Sequence, residues 1–143
     1  MLDVAQRRVR QVLPESVSRV RFLNEDIISW VPTDRYDLLV TNFVLDCFPQ
    51  EEVNLIIQKL AKAAVPNAYL LLADFSIPPK FLPRVHARIW LALMYSFFRA
   101  VTGIRAKQLP DFTSELEANG FVCLSKRQWR LGLVKSALWQ SRR

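Results

Sequence analysis

Glycine is scarce in this chain: of 143 residues only Gly103, Gly120 and Gly132 are glycines, all in the last third. No early strand can therefore end in a glycine-rich turn, the device that lets backbone without Cβ atoms approach a ligand closely. Cysteine is scarce too. Cys47 and Cys123 are too few for a disulfide framework, and with the single histidine, His86, too few for a four-ligand zinc site; no metal is expected. Their small number fits a reducing, cytoplasmic setting. Long apolar runs are missing as well. The longest, residues 89–98, lies between Arg88 and Arg99 and is half of the ~20 residues a membrane span needs. The opening residues, Met1 to Arg8, are amphipathic and charged, with no apolar core of a signal peptide.

The residues that are present describe a globular domain. Hydrophobic residues make up 51% and charged residues 23%, enough apolar material for a core. The net charge of +7 is spread over small groups such as Arg7, Arg8 and Arg10, or Lys126, Arg127 and Arg130. None forms a basic arm, which argues against a nucleic-acid partner, although the charge keeps RNA binding or RNA modification as an alternative.

Periodicity orders the elements. Leu2, Ala5, Val9 and Val12 recur at helical spacing up to Pro14. A short strand is expected over 17–23, closed by Asn24, Glu25 and Asp26, and a continuously apolar strand over 36–42, of the kind buried on both faces of a parallel sheet. Val53, Ile56, Ile57, Leu60 and Ala64 mark an amphipathic helix after Pro49. Pro66 and Asn67 read as a turn before another apolar strand over 69–75, completing a βαβ unit. A helix over 81–102, apolar nearly all round and closed by Gly103, follows. Then come a short helix over 111–119 and two strands, 121–128 and 131–140, close enough to form a hairpin.

Three features stand in a telling order: Asp26 just past a strand, the run Tyr36-Asp37-Leu38-Leu39-Val40-Thr41-Asn42 continuing into Phe43 to Pro49, and a final Gly-Phe strand with an antiparallel return. Together they resemble the class I S-adenosylmethionine-dependent methyltransferase family, in its small-molecule form, from residue 1 to about residue 139. The opening Met1-Leu2-Asp3 looks like the family's helix after its second strand. The resemblance implies a Rossmann-like α/β sheet, mostly parallel with a C-terminal antiparallel strand, lacking the first two strands and the glycine-rich loop. Residues 1–143 would form a partial methyltransferase domain, with 81–110 a helical insertion over the substrate site. S-adenosylmethionine would be the methyl donor and a small apolar or aromatic molecule the acceptor.

In open parallel sheets ligands bind beyond the carboxyl ends of the strands, where Asp26 and Asn42-Phe43 fall. The resemblance assigns Asp26 to the adenine amine, Ile27 to a place beside the adenine, and Asn42 and Phe43 to the sulfonium side. Read alone, Asp26 is equally a helix cap or an exposed loop carboxylate, and Asn42 a turn residue. Asp46 and His86 are the candidate catalytic groups. Asp46 qualifies only if an apolar pocket raises its pKa, the alternative being a cap or surface residue. Cys47 reads as a small core residue, and Asp74 either faces the pocket mouth or caps a loop. The aromatic face of the long helix (Trp90, Tyr95, Phe97, Phe98) reads first as core. Any open part of it would suit an apolar acceptor or peripheral contact with membrane lipid.

By the same resemblance, the missing glycine-rich loop and the missing ribose-binding acid of the family's second strand suggest a truncated gene product, a mis-called start, or a split protein completed by another polypeptide. A non-catalytic remnant or interaction module with the same fold is the competing expectation.

Overall fold

The computed structural model describes residues 2–78, 81–102 and 109–142. They fall into two units, 1–30 and 31–143. In the first, α1 (Leu2–Val12) ends before Pro14, with the Leu13 N–H donating to the Val9 carbonyl at 2.8 Å. The strand expected over 17–23 does not form. Pro14 opens a 3-10 turn, Pro14–Arg19, that takes up its first residues. Proline fixes the backbone angle for such a turn, and the residues after it pair with no strand among the described residues. Without a neighbouring edge, strand geometry would leave their backbone groups without partners, so they stay irregular.

The second unit is built on four strands in the order β1-β2-β4-β3: β1 (Tyr36–Asn42), β2 (Ala64–Phe75), β3 (Phe121–Trp129) and β4 (Val134–Ser141). β1 and β2 run parallel, joined by the crossover helix α2 (Gln50–Ala63), while β4 lies antiparallel to both β2 and β3. This is the mixed sheet expected. The Pro66-Asn67 turn is instead a bulge inside β2. Tyr36 stands opposite Ala64 but Leu38 opposite Tyr69, and Asn67 adopts φ 63°. Asparagine tolerates that left-handed angle, and proline is accommodated where the ladder is broken.

β1 also differs from expectation, because only one of its faces is covered. Leu39 is buried, whereas Leu38 and Val40 are about half exposed (55% and 51%). In β2, Ala68, Leu70, Leu72 and Asp74 are buried and Tyr69 and Leu71 exposed, the period-2 alternation of a sheet with one packed face. A crossover helix must lie on one side of its strands, and α2 buries Val53, Ile56, Ile57 and Leu60. α2 in turn packs against α4 (Phe112–Ala118), whose Asp111 cap accepts the Ser114 N–H at 3.1 Å.

The long helix α3 (Phe81–Thr102) has the expected bounds; Gly103, expected to close it, lies outside the described residues. Ala87, Leu91 and Tyr95, spaced four apart, are its buried stripe. Trp90 and Phe97 are 56% and 61% exposed, so the expected aromatic core is realised at Tyr95 and not at these two; the Phe98 side chain lies outside what is described. No helix among the described residues is long and apolar enough to cross a membrane.

Candidate functional site

The site forms where β1 and β2 end beneath α3. β1 leaves the sheet through Phe43, which adopts φ 52° while its N–H still donates to the Ala73 carbonyl at 2.8 Å. The reversed backbone turns the Phe43 side chain outward, and its ring sits 5.2 Å from that of Phe75 at the end of β2, tilted by 60°. Next comes a 3-10 turn, Leu45–Cys47, with Leu45 and Asp46 buried.

Asp46 meets Asp74 in the interior; they are 4% and 1% exposed. One Asp74 oxygen accepts the Phe75 N–H at 2.8 Å and the other accepts the Asp46 N–H at 3.3 Å, which brings the two acidic residues together. The Tyr95 hydroxyl on α3 donates to the Asp46 carbonyl at 3.3 Å. Desolvation first, and then the neighbouring Asp46 charge, push Asp74 up to about 7. Desolvation raises Asp46 as well. At neutral pH the pair therefore holds a proton that isolated carboxyls would have lost. Burial and the same charges push the Cys47 thiol to about 11 and raise Tyr95 above its ordinary value.

Beside this pair opens a cavity of about 730 Å³, walled by Phe43, Phe75, Trp90, Met94, Phe97 and Leu133. His86 and Arg130 are the charged or titratable residues among its lining. Arg130 sits in the hairpin between β3 and β4 with φ 50°. That hairpin is pinned to the end of β2: the Ser76 hydroxyl donates to the Gly132 carbonyl at 2.6 Å and the Ser76 N–H to the Leu133 carbonyl at 2.8 Å.

The structure thus brings Phe43 and His86 to one cavity. Asn42 is exposed at the end of β1 and does not line it. Asp46 has the raised pKa a catalytic acid needs but is buried away from the cavity, not a surface residue, and its contacts are those of a strut between strand ends and α3. Asp26 and Ile27 belong to the first unit. There the Asp26 carboxylate accepts the Ile28 N–H at 3.0 Å and its carbonyl accepts the Trp30 N–H at 2.8 Å, a turn cap on an exposed residue. Sequence reasoning missed Arg130 as a site residue, having read it only as one of a small basic group with Lys126 and Arg127, and left Asp74 open. An acid ending a strand of buried apolar residues was the available clue to its burial. Among the described residues no group of three or more His, Cys, Asp or Glu side chains is arranged to hold a metal ion.

A parallel pair extended by an antiparallel hairpin, with the cavity at the strand ends, matches part of a class I methyltransferase-type, Rossmann-like fold. Three solved structures show the likeness. An O-methyltransferase family protein from Burkholderia thailandensis superposes with a TM-score of 0.73 at 16% identity, over 97% of this chain and 40% of its own. A possible exported protein from Bordetella parapertussis gives 0.72 at 20%, over 99% and 50%. Magnesium protoporphyrin IX methyltransferase from Synechocystis PCC 6803, with bound SAH, gives 0.64 at 21%, over 96% and 57%. The chain spans roughly half the length of these proteins. No protein-family model and no curated protein matches its sequence.

Proposed function

We propose that this chain is the acceptor-side part of an S-adenosylmethionine-dependent methyltransferase acting on a small apolar or aromatic molecule in a cytoplasmic setting. The cavity at the strand ends, apolar and opening beside Phe43, is the observation that carries this reading. Bound S-adenosylmethionine would supply the electrophilic methyl group. For the chain's own residues, Phe43 and the Asn42 backbone would border the sulfonium, and the exposed Asp26 carboxylate, with Ile27, would receive the adenine amine. The aromatic walls would hold the acceptor and exclude water, since methyl transfer depends mainly on alignment. His86 is the candidate to accept a proton from the acceptor, because it lines the cavity while Asp46 does not.

A non-catalytic module of the same fold is the second reading, favoured by the burial of Asp46 and Asp74 outside the cavity lining. Calorimetric titration of the purified chain with S-adenosylhomocysteine separates the two. Binding that disappears in Asp26→Ala and weakens in Phe43→Ala is the expected result. A folded chain that takes up no heat would leave the fold without the cofactor.

A further inference from the structure

The cavity wall is apolar except at His86 and Arg130, and the arginine has a definite chemistry. Arg130 carries a permanent, planar, bidentate cation, and among the described residues no carboxylate pairs with it. Its backbone lies at φ 50°, where residues with a Cβ are uncommon and which asparagine or glycine would occupy at less strain. The surroundings hold it there. Its carbonyl accepts the Leu133 N–H at 3.1 Å, Ser76 binds the next residues of the hairpin, and Gly132 fits so closely that a Cβ would meet the Pro78 Cβ at 2.8 Å. The hairpin backbone is thus held so that Arg130 joins the lining of a cavity walled by Phe43, Trp90, Met94 and Phe97. His86 contributes a further nitrogen from α3. Arg130 is exposed, so its cation would meet an anion on the solvent side of the cavity while the apolar walls take the rest of the molecule.

We infer that the molecule this cavity takes is an aromatic monocarboxylate, its ring stacked among the aromatic walls and its carboxylate held by Arg130. The inference rests on the reading of this cavity as the acceptor site, and it narrows the acceptor class. The carboxylate provides two oxygens for the planar fork of the guanidinium, which a neutral amide or an amine does not. The volume of about 730 Å³ accommodates a fused two-ring acid with room to spare.

The probe is 1-naphthoate, compared with the uncharged 1-naphthamide, each titrated into the whole chain and followed by quenching of Trp90 fluorescence, with Trp90→Phe to identify that signal. Neither titration contains cofactor, so the outcome is independent of the S-adenosylhomocysteine experiment. We expect 1-naphthoate to bind at least tenfold more tightly than 1-naphthamide. Arg130→Asn, which suits the left-handed backbone, should bring the two affinities within about twofold. Arg130→Lys should restore part of the preference. Equal affinities in the unsubstituted chain would overturn the inference without any variant. So would an undiminished preference in Arg130→Asn, or failure of both probes to bind a chain whose near-ultraviolet circular dichroism shows packed aromatics.

Discussion

Asp74 binds its proton more tightly in the folded chain than an unfolded aspartate does, and this has a sign. Its pKa rises from an ordinary value near 4 to about 7, so between these pH values the folded state holds a proton that the unfolded state has released. Stability attributable to the pair is greatest below pH 4, falls as pH rises, and levels off above 7. Asp46→Asn removes the neighbouring charge and offers an amide donor to Asp74, which keeps both of its backbone partners. Urea denaturation at pH 5 and pH 8 should show the variant with a flatter pH dependence and a gain at pH 8 on the order of 1 kcal/mol. A second consequence concerns Cys47. With its thiol at about 11, roughly one molecule in a thousand is thiolate at pH 8. Alkylation of Cys47 by iodoacetamide, read by peptide mass, should be slow at pH 8 and rise about tenfold per pH unit towards 11.

Among the elements, those with a strong local period were legible before any packing was known. α2 and α3 follow the 3.6-residue repeat, and the caps around α4 are written as Asp111 and Asn119. The strand over 17–23 failed because alternation records only a preference for a half-buried surface; the partner edge has to come from elsewhere in the molecule. The hairpin between β3 and β4 depends on one residue more than its sequence suggested. Gly132 has φ 89° and touches Pro78, so Gly132→Ala adds backbone strain to a clash. The melting temperature should fall by an amount corresponding to about 1–3 kcal/mol, and Arg130 should lose its place at the cavity.

For the molecule as a whole, the notable quantity is apolar surface left in water. Leu38, Val40, Tyr69 and Leu71 share the open face of the sheet, and the outer edge of β1 pairs with no strand among the described residues. An unpaired apolar edge is a template for self-association. Val40→Lys should therefore slow the rise of light scattering at 37 °C severalfold while leaving the melting temperature nearly unchanged, because the residue is about half exposed.

The sequence by itself determined the kinds and order of most elements, the βαβ crossover and the final hairpin, because these follow from periods, turn residues and chain chirality acting over short distances. It also marked Phe43 at the end of a strand and His86 on the long helix. Only the tertiary structure decided which face of β1 and β2 was covered, that Asp46 would be buried against Asp74 and not offered to a substrate, and that Arg130 would reach the same cavity as Phe43. Each of these depends on residues tens of positions apart, and desolvation and pairing exist only once the chain has brought them together.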